Sequence, residues 1–176
     1  MNENALSSPL SHLIRRVRRN HALEHATIHV LTSQHRTTSI IGRSDGNGFY
    51  LYTELPLDVV AEAVHQAERR LRSGEHQLAI HPNCGTNLLA GGILSAGAAF
   101  LSLQGSKEEK LHERFQRLPL AILGAMAGIL LSQPLGNKVQ QFVTTDGNLG
   151  SLKVGSIRST GSGPNKLYRI LTYDQL

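Results

Sequence analysis

Apolar positions recur at helical spacing in two stretches of the first half of the chain. Over residues 9–33, Ile14, Val17, Ile28 and Leu31 share one side, while Arg15, Arg16, Arg18 and Arg19 fall mostly elsewhere. The pattern predicts an amphipathic helix with a buried stripe at positions 14, 17, 21, 24, 25, 28 and 31. Ser8 can cap its start, and Pro9 can take the first helical position, where a missing N–H costs nothing. The second stretch opens at Pro56, aligns Val60, Ala63, Val64, Ala67 and Leu71 on one face, and stops at Gly74.

Between these helices, "TTSIIGRSDGNGFYLYTEL" carries two β-prone runs around a Gly/Asp/Asn turn. It predicts a hairpin at 37–42 and 48–54 whose apolar face covers the first helix. After the second helix, "HQLAIHPN" reads as a short strand entering a turn, because Pro82 breaks a ladder and Asn83 favours turning.

The pattern then changes character. "NLLAGGILSAGAAFLSLQG", 87–105, and "LPLAILGAMAGILLSQPLG", 118–136, carry no formal charge and are about long enough to cross a bilayer. The competing reading is a pair of buried helices in a soluble core. Gly124 and Gly128 form a GxxxG, and Gly92, Ala96 and Ala99 offer small residues on the facing helix, so close packing in lipid is favoured. Beyond this, the tail alternates β-prone runs with Gly/Ser/Asn turns and predicts two or three short strands.

The expected fold is α+β: an N-terminal helix, a β-hairpin and a second helix packed against a two-helix transmembrane hairpin, with a small β-rich tail. The corresponding regions are 1–85, 86–136 and 137–176.

Charge and cysteine content narrow the setting. The net charge is +5, but the α-helical arginines cluster at 15–19 and 69–72 without interleaved aromatics, so nucleic acid is not an expected partner. One cysteine, Cys84, forbids an intramolecular disulfide and fits a reducing cytoplasmic setting. The first twenty residues lack the apolar core of a signal peptide. Nine Lys/Arg precede the apolar runs, five follow them, and Lys107, Lys110, Arg114 and Arg117 lie between, which places both termini in the cytoplasm. The expected location is the cytoplasmic membrane, with the lipid bilayer as partner and a membrane protein or peptide as a further one.

The chemistry sits in "HALEHATIHV", residues 21–30. His21 and His25 lie four apart on the predicted helix, and Glu24 falls within the same sector of about 100°. Three ionisable groups on a buried stripe are costly unless paired, hydrogen-bonded or bound to metal. Two imidazoles at i and i+4 converge on one cation, and HxxEH inverts the HExxH zinc-protease motif, with Glu24 available as general base. A second donor pair, His81 and Cys84, lies in "HPNCGTN" at the entrance to an apolar helix. There the helix N-terminus favours a thiolate, and Asn83 or Thr86 can cap. Read without metal, these are core histidines bonded to Glu24 or backbone, a strand-end His81 and a small buried Cys84. His29 lies one turn beyond His25 but about 80° from His21, at the edge of the stripe. His12, His35, His65, His76 and His112 read as solvated, and Glu62 and Glu68 as salt-bridged to nearby arginines.

With both clusters in view, "RNHALEHATIHVL" and "LAIHPNCGTNLLAGG" together resemble a domain-of-unknown-function family of small bacterial membrane proteins, over most of residues 10–136. The two motifs and the adjoining apolar helix also resemble a larger multispanning family of metal-dependent enzymes that pairs HxxEH with HPxCGT. The resemblance implies a membrane location and a metal site at His21, Glu24, His25, His81 and Cys84. The resulting expectation is a membrane-anchored zinc-dependent hydrolase acting on a peptide or lipid-like substrate. His21, His25 and either His81 or Cys84 hold Zn2+ or another divalent ion, and Glu24 activates water. Its rivals are a closed structural metal site and a metal-free polar network used in assembly.

Overall fold

The computed structural model describes residues 8–104, 115–160 and 166–175. The fold is α+β and divides into two units. One contains the described residues up to His81 and from Gln141 onward, and the other is Pro82–Gln140.

In the first unit, helix α1 (Pro9–Gln34) begins as its sequence dictates: the Ser8 hydroxyl accepts from Ser11 N–H at 3.2 Å, and Pro9 opens the helix. A cap of this kind contributes about 1 kcal/mol. The stripe expected on α1 holds from Glu24 to Leu31 but not at its start. Ile14 is exposed, and every residue from Ala22 to Ile28 is buried, so this half of α1 is a central helix rather than a one-faced one.

Strands β1 (Ile41–Asp45) and β2 (Gly48–Thr53) form the hairpin, with β1 displaced from the expected 37–42. The reason is the turn. Asp45 pairs with Gly48 and its carboxylate accepts from Asn47 N–H at 2.8 Å, so the chain reverses over two residues and the pairing runs back only to Ile41 opposite Tyr52. Gly48 has φ +144°, and a Cβ there would strike the Ile170 carbonyl, so glycine is required. Helix α2 (Leu57–Arg72) buries Val60, Ala63, Val64, Ala67 and Leu71, the face its spacing predicts.

The tail does not form a separate 137–176 region. Its strands, β3 (Leu152–Thr160) and β4 (Lys166–Asp174), join the hairpin in one antiparallel sheet of order β1-β2-β4-β3. β4 inserts beside β2, pairing Phe49 with Ile170 and Leu51 with Tyr168. These inward side chains pack with Leu23, Leu31, Val60, Val64 and Leu152 in one core, and the Tyr168 hydroxyl donates to the Leu55 carbonyl at 2.6 Å. Three α1 arginines are committed to the tail: Arg16 donates to the Thr172 carbonyl at 3.0 Å, Arg18 to that of Thr145 at 3.0 Å, and Arg19 meets Asp146 at 3.6 Å.

The second unit is an antiparallel pair, α3 (Gly85–Leu103) and α4 (Leu118–Val139), with α4 passing into a π-helical turn at Gln140–Thr144. Both helices are long and apolar enough to cross a membrane, and only 11% and 17% of their most apolar stretches are buried. That exposure does not fit a pair of helices buried in a soluble core. Lys107, Lys110, Arg114 and His112 fall outside the described residues.

GxxxG works as expected on one side only. A Cβ on Gly128 would come within 2.6 Å of Ser95 N, and one on Gly124 would press Ala98 and Ser102. The facing line is therefore Gly91, Ser95, Ala98 and Ser102 rather than Gly92, Ala96 and Ala99: a Cβ on Gly92 meets nothing.

Candidate metal centre

The segment expected to be a strand, "HQLAIHPN", is instead a 3₁₀ turn (His76–Ala79) followed by extended Ile80. Its carbonyls have another use. His25 Nδ1 lies 2.7 Å from the Ala79 carbonyl oxygen, and His29 Nε2 lies 2.8 Å from that of Ile80. A carbonyl oxygen can only accept, so both ring nitrogens donate. The same logic fixes His21, whose Nδ1 donates to the Thr144 carbonyl at 3.0 Å. Thr144 ends the π-helical turn after α4, where the last carbonyls lack intrahelical partners and where Arg18 also donates.

The consequence is chemical. With Nδ1–H committed to backbone, the lone pair of His21 and of His25 resides on Nε2, the arrangement by which protein carbonyls orient metal-ligating imidazoles. Ring nitrogens of the two residues lie within 4.8 Å of each other, and the ring centroids are 4.3 Å apart. His81 extends the cluster: its ring lies 5.7 Å from that of His25 and 4.8 Å from that of His29. Burial pushes the His81 pKa down to about 4, assisted by the neighbouring His29 and His25, so at neutral pH this imidazole is uncharged and can act as a donor.

The structure thus brings His21, His25 and His81 together in the first unit and adds His29, which the sequence placed at the edge. The spacing of 21, 25 and 29 was the available signal, but its value depended on where residues 79–81 lie.

Glu24 is buried and its carboxylate is turned to β1, where a Cβ on Gly42 would overlap Oε1. Cys84 belongs to the second unit and is itself the N-cap of α3, accepting from Thr86 N–H at 3.4 Å, in place of the expected Asn83 or Thr86. Glu62, Glu68 and Glu75 are each bonded to an arginine: Arg69 at 2.8 Å, Arg72 at 3.0 Å and Arg70 at 2.9 Å.

The apolar unit also holds a polar network that its sequence pattern does not announce. Buried Asn87 donates one amide hydrogen to the Pro82 carbonyl at 2.8 Å and shares the other between Asn137 at 3.1 Å and Gln133 at 3.2 Å on α4, while Gln140 donates to Asn87 at 2.7 Å. Asn87→Leu removes every one of these bonds between the two helices. It is expected to weaken their association by about 1–2 kcal/mol, read as a shift in the unfolding of the purified chain in detergent.

Residues 16–157 match the family profile described as a domain of unknown function, DUF6391, and the chain belongs to that family. An uncharacterised protein of Picosynechococcus sp. is 37% identical over 138 residues. That match takes in 73% of this chain and 65% of the relative's length, so the chain spans less than two thirds of that protein. No solved structure matches.

Proposed function

We propose that the chain is a membrane-anchored zinc-dependent hydrolase. His21 and His25 hold the ion, either His81 or Cys84 completes its three protein ligands, and Glu24 serves as general base. The observation that carries the metal site is the pair of Nδ1–H bonds to the Thr144 and Ala79 carbonyls, which aims two Nε2 lone pairs within one cluster. Cys84 enters on chain reach: three trans peptide links after His81, its Cα lies within about 11 Å of that residue's. Its position at the start of α3 favours the thiolate form. The motif resemblance to metal-dependent enzymes supports the same set. Two exposed, bilayer-length helices support the anchoring, with both termini on the cytoplasmic side.

With one position left open, a zinc ion held by these residues would bring the pKa of its water near 7. The residues of the chain do the rest: carbonyls hold the imidazoles, His25 and Glu24 are buried while His21 and His81 stay partly open to an entering substrate, and Glu24 takes and returns a proton. The substrate class proposed is a peptide or lipid-like molecule reached from the membrane.

A second reading is favoured by the packing of Glu24 on Gly42: a closed, non-catalytic site of His21, His25, His81 and Cys84, with Glu24 structural. Glu24→Gln separates the two. For the hydrolase, zinc content stays near one equivalent and hydrolysis of a 4-nitrophenyl acyl ester falls about 100-fold or more. In the cobalt-substituted protein, azide alters the visible spectrum. For the closed site, azide changes nothing and neither wild type nor variant turns over the ester.

A further inference from the structure

The outer face of the sheet carries a pattern that the metal site does not use. Strand register places Ile41, Tyr52 and Leu167 side by side across β1, β2 and β4. The next outward row crosses all four strands as Arg43, Tyr50, Arg169 and Arg158. Side chains two apart on a strand share a face, so these rows are adjacent. Ile41 is 64% exposed and Tyr52 44%, and the two line a shallow depression of about 330 Å³ with Arg43, Tyr50 and Leu167. Tyr173, also outward, is exposed further along β4, opposite Lys153.

We propose that this face docks on an anionic phospholipid surface, the apolar and tyrosine row entering the headgroup boundary and the arginine row meeting phosphates. The proposal rests on the anchoring half of the reading above, because two bilayer-length helices in the same chain keep a bilayer within reach.

Charge complementarity supports it. Arg43, Arg158, Arg169 and Lys153 face outward against Asp45, which is bonded to Arg169 at 2.9 Å, and Glu54 just past the end of β2. Tyrosine beside aliphatic residues suits the membrane–water interface, where an amphipathic ring spans the boundary. Single-stranded nucleic acid, the other polyanion, needs open aromatic faces. Here the Arg169 guanidinium already lies 4.2 Å from the Tyr50 ring centroid, and Tyr52 is flanked by Ile41 and Leu167.

The chain contains no tryptophan, so Tyr52→Trp introduces a single reporter on this face. The full-length variant is reconstituted into nanodiscs of phosphatidylcholine alone or with phosphatidylglycerol. The expected result is a blue-shifted emission, quenched by brominated lipid, in the anionic discs only. Arg43→Glu and Arg158→Glu in the same background each lower the docked fraction ratio about 5-fold. Equal spectra in both discs, or quenching by a single-stranded oligonucleotide regardless of lipid, would overturn the proposal. Failure to incorporate into either disc counts against the anchoring alone. The same emission is then read on phosphatidylglycerol vesicles added from outside, where an unshifted spectrum overturns the docking surface as well.

Discussion

His25→Ala is expected to lose zinc, from about one equivalent per chain to below about a tenth, and to destabilise the first unit by about 2–4 kcal/mol. Two effects combine. The ring is 2% exposed, so its removal leaves a cavity against residues 79–81, and it strips the Ala79 carbonyl of a 2.7 Å hydrogen bond. His65→Ala, on the exposed face of α2, is the control and should leave zinc content unchanged and stability within about 0.5 kcal/mol of wild type. Metal analysis and thermal unfolding read the two outcomes independently. Loss of stability with zinc retained would remove His25 from the ligand set while leaving its structural bond in place.

The second large effect lies in the apolar unit. Gly128→Leu is expected to cost about 3 kcal/mol or to separate α3 from α4, because even a Cβ there would stand 2.6 Å from Ser95 N, a backbone atom that cannot turn aside. Gly92→Leu should be tolerated, since nothing lies within 4 Å of a Cβ at that position. Both glycines belong to small-residue patterns of similar appearance in the sequence, so the contrast tests the phase of the packing. Helix association measured between a donor on α3 and an acceptor on α4 should fall for the first variant and hold for the second.

That phase shows where the sequence ceases to be informative. The line 92, 96, 99 and the line 91, 95, 98, 102 both present small residues at helical spacing, and in an apolar helix no polar face marks which one is covered. α2 was fully legible because it is amphipathic: its five buried residues are the five its period singles out. The hairpin was legible as a hairpin but not in register, which the Asp45 side chain sets by bonding Asn47 N–H. The tail strands were legible as strands, but their insertion beside β2 depends on pairing across more than a hundred residues.

The candidate site divides in the same way. His21 and His25 could be read from their spacing, and His81 from its motif. The orientation of His21, His25 and His29 could not, because the groups that impose it are backbone carbonyls at Thr144, Ala79 and Ile80, supplied by segments whose sequences carry no mark of the role. The failed strand at 76–83 and the orientation of His25 and His29 are one event: carbonyls that a ladder would have used serve the imidazoles. Glu24 was placed by its spacing on the histidine sector, whereas its carboxylate packs on the glycine of β1, a contact visible only in three dimensions.

Zinc K-edge absorption on the purified full-length chain tests the central claim most directly. The account predicts nitrogen neighbours at about 2.0–2.1 Å, joined by one sulfur at about 2.3 Å where Cys84 rather than His81 is the third ligand, with the nitrogen shell depleted in His21→Ala. A protein that binds no zinc, or whose metal shell is unchanged by removing His21 and His25 together, would contradict it.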